Sequence, residues 1–198
     1  MLVVVNITPS DLYSLESCKA YIQDVRSFHR QYFGTDFPYW YSVAQLEKES
    51  SCRHNILSSD RVGSEGLAQI TYSLWKDKLS SEGIKEIKTI SNHLKAQAYI
   101  NKYYYTRLNH CDKKLWAMYQ AYNGGFLVEK ECRLANSSVK SEARKFCNRR
   151  DVCIRFKGNK CIQYRNACDI NYEYSDKIYK LSGKYNLLDI KTTNFVFY

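Results

Sequence analysis

The 198-residue chain holds only 2 prolines and 8 glycines, too few for a collagenous, linker-rich or disordered polypeptide. It has no long apolar run. The longest aliphatic stretch, Leu2 to Val5, falls far short of the roughly 18–20 residues that a membrane-spanning helix needs, so no membrane span is expected. No Cys-x-x-Cys pair occurs, and none of the four histidines (His29, His54, His93, His110) stands at helical ligand spacing from another. A zinc finger or helix-borne zinc site is therefore disfavoured. Residues Met1 to Pro9 lack a positive leader region and carry too short an apolar core for a secretory signal. Export would need a signal already removed or another route. Internal repeats and low-complexity tracts are also missing.

What is present bounds the chain further. Hydrophobic residues make up 44% and charged residues 25%, the balance of a folded globular protein about one domain in size with an appendage. The eight cysteines (Cys18, Cys52, Cys111, Cys132, Cys147, Cys153, Cys161, Cys168) are an even and large number, suited to disulfides formed in an oxidising compartment. The net charge of +10 draws the molecule toward anionic partners such as wall polymers, acidic lipid or nucleic acid. No nucleic-acid-binding module accompanies that charge, so nucleic acid is not expected as a partner. Eighteen tyrosines dominate the aromatics; a phenol offers an apolar face and a hydrogen-bonding tip, useful in a core or against a flat ligand.

Apolar spacing predicts a helix from Ser10 or Asp11 to Gly34, with Leu15, Cys18, Ile22, Val25 and Tyr32 on its stripe. A second, opened by Thr35-Asp36 and Pro38, carries Tyr39, Val43 and Leu46 and ends near Ser50 or Ser51. Glu47 and Glu49 border that stripe. From Cys52 to Thr71 the period is lost, which reads as an irregular, cleft-forming loop. Helices are expected over Ser81 to Thr89, over Ser91 to Leu108, and from a cap at Asp112 to the stop Asn123-Gly124-Gly125. Within the second of these, Tyr103, Tyr104 and Tyr105 are consecutive and cannot all face one side. After Val128 five of the eight cysteines and a basic stretch from Lys140 to Arg150 mark a change. Alternating residues around Lys157-Gly158-Asn159-Lys160 predict a short hairpin stapled by Cys147, Cys153, Cys161 and Cys168, and a final helix is expected over Ser175 to Leu181.

Three strings stand in order: Glu49-Ser50, then Gly63-Ser64-Glu65-Gly66-Leu67-Ala68-Gln69-Ile70, then Ala121-Tyr122-Asn123-Gly124-Gly125. Asn92 to Tyr99 lies between the last two. Together they resemble the lytic transglycosylase SLT family, which includes soluble lytic transglycosylases and shares its fold with goose-type lysozymes. The resemblance spans roughly Tyr39 to Gly125. It implies a mainly α fold: a lysozyme-like α+β catalytic domain over residues 36–128, an N-terminal helix over 1–35 packed on it, and a basic Cys-rich C-terminal extension over 129–198 carrying the short β-hairpin.

The implied activity is cleavage of the β-1,4 bond between N-acetylmuramic acid and N-acetylglucosamine in peptidoglycan, leaving a 1,6-anhydromuramyl end. Glu49 would be the single general acid and then the base, its carboxyl kept protonated near neutral pH by an apolar cleft. Substrate contacts would come from Ser50, Gly66, Leu67, Gln69, Tyr122 and Asn123. Gln69 stands 20 residues after Glu49 and offers an amide to sugar hydroxyl or acetamido groups; Tyr122 would hold the Glu49 carboxyl or the acetamido group through its phenol. Two departures from the family pattern stand out: Ala68 replaces the usual Met, and Cys52 replaces a common aromatic and can tie the loop through a disulfide.

Two alternatives stay open. Asp60 or Glu65 is a candidate second acid that would place water and make the chain a hydrolase, since conventional glycosidases use two carboxylates. Alternatively the chain is an idle wall-binding or virion structural protein that keeps the fold. No metal or organic cofactor is needed for either cleavage chemistry. The expected partner is the peptidoglycan strand, with assembly into a phage particle or secretion system as a route of delivery. The place of action would be the periplasm or bacterial cell wall, reached by phage particle, holin or a removed signal.

Overall fold

A computed structural model describes residues 18–58, 63–186 and 195–198, and among these eight helices and one two-stranded hairpin follow one another. Helices α1 (Ile22–Phe33) and α2 (Trp40–Ser50) stand where the apolar stripes put them. The expected start of α1 at Ser10 or Asp11 lies outside the described residues. Pro38 precedes α2, where its missing N–H breaks no helical bond.

The expected helix over Ser81 to Thr89 is replaced by α3 (Tyr72–Ser81). Gly83, at φ +76, ends it: the Ile84 N–H reaches the Leu79 carbonyl at 2.8 Å and the Gly83 N–H that of Ser80 at 3.0 Å, a Schellman closure that needs a left-handed residue. Ile84 and Ile87 then anchor irregular chain in the core, and their apolar spacing alone imitates a helix.

Helix α4 (Ile90–Tyr105) is capped by Thr89, whose hydroxyl accepts from the Asn92 N–H at 3.3 Å. Helix α5 (Leu115–Gly124) ends at the glycine pair, but Asp112 does not cap it. Asp112 and Lys113 sit at φ 50 and 52. The first N–H groups of α5 instead go to the distant chain end, Leu115 to the Val196 carbonyl at 3.0 Å and Trp116 to that of Phe197 at 2.9 Å. Orphan donors at a helix start accept any well-placed carbonyl, and this one comes from outside the local sequence.

Helices α6 (Leu127–Ala135) and α7 (Lys140–Arg144) follow, then β1 (Asp151–Lys157) paired antiparallel with β2 (Lys160–Asn166), as the alternation predicts. The last helix, α8 (Ala167–Ser182), is longer than expected because Asn166 caps it, accepting from the Cys168 N–H at 3.0 Å. Ser175, the first residue of the expected helix, lies inside the observed one and donates to the Tyr172 carbonyl. Disulfides join Cys18 to Cys52, Cys111 to Cys132, Cys147 to Cys168 and Cys153 to Cys161.

One buried cluster contains Val43 and Leu46 of α2, Leu94 and Ile100 of α4, Trp116 and Tyr119 of α5, and Tyr172, Tyr174 and Ile178 of α8. Helix α8 packs on both α2 and α5, and α1 packs on α4. The C-terminal stretch that reads as an extension therefore supplies a core helix. Burying such side chains is worth about 1.5–3 kcal/mol apiece, enough to hold α8 against the end of α2.

Candidate active site

Glu47 and Glu49 lie about 200° apart around α2, and the fold sends them to different places. Glu47 is 9% exposed; its carboxylate accepts from the Lys184 ammonium at 2.8 Å and the Tyr185 hydroxyl at 2.7 Å. It fastens α2 to the turn after α8. Glu49 is half-buried and lines a cleft of about 520 Å³ together with Gln69, Trp75, Tyr104, Tyr122 and Asn123. Among the described residues lining that cleft, Glu49 is the one carboxylate.

The Glu49 carboxylate accepts a hydrogen bond from the hydroxyl of Tyr174 on α8. Burial pushes the Tyr174 phenol well above its ordinary value, and the Glu49 charge and hydrogen bond add to this, so the phenol remains a donor at any physiological pH. A buried polar chain aims it. The Gln45 amide nitrogen points at the Tyr174 oxygen at 3.4 Å, and the Gln45 carbonyl is in turn held by the amides of Gln97 at 2.9 Å and Asn101 at 3.0 Å. With Gln45 acting as donor to the phenol oxygen, the phenolic hydrogen is directed at Glu49. Asn101 continues the chain to the His29 imidazole at 3.3 Å. Burial depresses the His29 pKa to about 4, so the ring is neutral.

The loop after α2 is fastened beneath the cleft. Ser50, 3% exposed, donates to the Leu67 carbonyl at 2.8 Å. Ser50 and Leu67 thus join the helix end to the loop from below. Gly66 sits at φ +72, and a Cβ there would collide with the His93 imidazole, reaching Nδ1 at 2.8 Å. That close approach is to His93, not to the cleft. The imidazole accepts from the Ala68 N–H at 3.0 Å and its Nδ1 meets the Ile87 carbonyl at 3.1 Å, which fixes the proton on Nδ1. Burial holds the His93 pKa below its ordinary value. Ala68 is fully buried, so it shapes the cleft only through its backbone.

Gln69 does line the cleft, yet its amide nitrogen is turned inward, donating to the Gly66 carbonyl at 2.9 Å and the Ile56 carbonyl at 3.3 Å. Its side-chain carbonyl is left to meet a ligand donor. Tyr122 lies near Glu49, whose charge adds to burial in raising the phenol's pKa well above the ordinary value. Its hydroxyl, however, donates to the Ala68 carbonyl at 2.8 Å; the phenol that holds the Glu49 carboxyl is that of Tyr174. Asn123 is exposed at the cleft edge, donating to the Asn171 side chain at 2.6 Å. Glu65 lines a different depression, with His54 and Lys88, and Asp60 lies outside the described residues.

Backbone strain collects around the site. Ser51, Cys52 and Gln69 take left-handed conformations at φ 52, 59 and 50, each costing a non-glycine residue on the order of 1–3 kcal/mol. The Cys18–Cys52 disulfide and the Gln69 amide bonds hold two of them in place.

Two cleft residues, Trp75 and Tyr104, and the buried Tyr174 behind Glu49 escape a reading of the motif strings. Trp75 and Tyr104 meet edge to face at 5.6 Å, and Tyr104 continues to Phe126 at 5.0 Å, a wall of rings suited to the apolar face of a sugar. The run Tyr103 to Tyr105 was a signal for one of them, since a surplus ring must look outward. Among the described residues, no group of three His, Cys, Asp or Glu could hold a metal, and no helix is long and apolar enough to cross a membrane.

The family model described as the transglycosylase SLT domain matches residues 31–144, more than half of the chain. This span contains every residue lining the Glu49 cleft; Tyr174, which holds the Glu49 carboxyl, lies beyond it. No curated protein and no solved structure matches the chain significantly.

Proposed function

Because the chain belongs to the transglycosylase SLT family, whose domain carries out lytic processing of peptidoglycan, we propose that it cleaves the β-1,4 bond between N-acetylmuramic acid and N-acetylglucosamine with Glu49 as sole acid and base. Protonated Glu49 gives its proton to the glycosidic oxygen as the C1–O bond breaks. The muramyl C6 oxygen then attacks C1, its proton passes to the Glu49 carboxylate, and a 1,6-anhydro end forms without water being consumed. Glu49 is thereby restored for the next bond.

The observation that carries this reading is the half-buried Glu49 carboxyl in the cleft, fixed by a buried phenol. A hydrolase of the two-carboxylate kind would keep a second acid across the cleft to hold water; of the two candidates Glu65 lies in another depression and Asp60 lies outside the described residues. Tyr174 holds the carboxyl in one orientation, and the rings of Trp75 and Tyr104 offer a stacking wall for the strand. The Gln69 side-chain carbonyl and the exposed Asn123 supply polar contacts at the edge. The place of action is the bacterial cell wall.

Digestion of purified wall sacculi, with mass analysis of the soluble fragments, tests the reading. Anhydro ends are expected. Reducing ends would identify a hydrolase, and no release would identify a wall-binding protein. Glu49→Gln should fold normally and lose about 10²–10⁴-fold in rate, the usual contribution of a general acid–base group.

A further inference from the structure

A second cavity, about 750 Å³, opens beside α7 and α8 and shares no lining residue with the Glu49 cleft. Tyr172 and Asp176 of α8 line it, whereas Tyr174, about 200° around the helix from Tyr172, serves the cleft.

Five cations line this cavity: Lys114, Lys140, Arg144, Lys145 and Arg149. Three of them are matched by carboxylates, Lys140 by Asp176 at 2.5 Å, Arg144 by Asp169 at 2.7 Å and Lys145 by Glu142 at 2.5 Å. Lys114 and Arg149 have no ion-pair partner among the described residues. The rest of the wall is mixed: Ser138 and Ser141 are polar, Asp176 is taken up by Lys140, and Val139, Tyr172 and Tyr198 are apolar or aromatic, with Val139 56% exposed and the Tyr198 ring 5.4 Å from the Lys140 ammonium.

We propose that this cavity is a binding site for an acidic peptide with at least two carboxylates, which Lys114 and Arg149 pair. Its volume falls within the range of roughly 300–1,000 Å³ typical of small-ligand sites, so it takes a short segment. Phenol rings and Val139 suit a ligand with a carbon backbone between its charges. Duplex nucleic acid calls for a long stripe of phosphate contacts, which two unmatched cations in one open depression do not offer. The source of the peptide rests on the functional reading above: the peptides that branch from peptidoglycan strands carry such carboxylates. A strand held at this cavity by its peptide would keep the protein on the wall while another strand enters the cleft.

The test is binding of a fluorescently labelled wall-type tetrapeptide (alanine, γ-linked glutamate, diaminopimelate, alanine), followed by anisotropy on the full chain. The double variant Lys114→Ala with Arg149→Ala should bind at least tenfold more weakly, and so should the wild type when the peptide carboxylates are amidated. Affinity should fall as salt rises. Glu49→Gln should bind the peptide like the wild type, so a failure of the cleavage reading and a failure of this site are separately visible. Equal binding by wild type and double variant overturns the proposal. So does displacement by a 20-base-pair duplex or by inorganic phosphate when the amidated peptide binds as well as the acid.

Discussion

Tyr174 and Glu49 stand 125 positions apart in the chain, yet the phenol of one donates directly to the carboxylate of the other. Helix α8 thereby reaches, from behind, the carboxyl of a cleft lined by the matched family span. Tyr174→Phe removes that donor while leaving the packing intact, and a hydrogen bond to a charged group is worth about 1.5–3 kcal/mol. Cleavage of sacculi should drop about 10- to 100-fold by the same figure. Glu47→Gln gives the opposite pattern, a stability loss of about 1–3 kcal/mol from its ties to Lys184 and Tyr185, with cleavage kept. Urea unfolding and fragment release measure the two effects; an exchange of the two outcomes would transfer the acid's role to Glu47.

Gly66→Ala puts a methyl group into the His93 imidazole at a position with φ +72. The expected loss is about 2 kcal/mol or more, from left-handed strain and overpacking together. Because Gly66 also receives the Gln69 amide, activity should fall more steeply than the melting temperature. A variant as stable and active as the wild type would mean the loop can move away from His93 at no cost.

Acid should weaken the fold through His29. Its folded pKa of about 4 lies below the ordinary 6.5 of the unfolded chain, so between these values the unfolded state binds the extra proton. Stability is full above about pH 6.5 and is lost as pH falls toward 4, by about 3 kcal/mol for a single group with that displacement. His93, also depressed by burial, acts in the same direction. Unfolding free energies measured from pH 7 to pH 4 should show this fall, and His29→Gln should flatten part of it. A stability that rises toward pH 4 would contradict the neutral imidazole.

Eight cysteines in four disulfides leave no thiol to alkylate in the native protein, and eight alkyl groups should be added after denaturing reduction. Replacing Cys18 and Cys52 with serine opens the longest of these loops, 34 residues of separation. A loss of about 2–4 kcal/mol is expected, and the left-handed turn at Ser51 and Cys52 should then relax beside Glu49. Unchanged stability and activity in that variant would show that the turn is held by packing alone.

The local part of the site was legible because its signals are short-range. Glu49-Ser50 closes a helix, Gly66 marks a left-handed turn, and Asn123-Gly124-Gly125 stops α5, each a matter of a few neighbouring residues. Tyr174 was not legible, since one tyrosine in a helix rich in them carries no mark until α8 packs on α2. Of the two roles expected of Tyr122, the hold on the Glu49 carboxyl falls to Tyr174 for the same reason. Asp112 looked like a cap by residue type, but the carbonyls of Val196 and Phe197 took that place. The helix expected over Ser81 to Thr89 came from the spacing of Ile84 and Ile87, which bury as isolated anchors as readily as along a helical stripe.

By itself the sequence determined a mainly helical fold with a C-terminal hairpin, an oxidised cysteine set and the family of the chain, because periodicity, turn chemistry and motif order are properties of neighbouring residues. Tertiary structure decided what Glu47 binds, which phenol holds Glu49, how the cysteines pair and that the C-terminal helix belongs to the core. Those outcomes depend on which surfaces meet, and burial makes an unpaired charge or donor too costly to leave wherever they do.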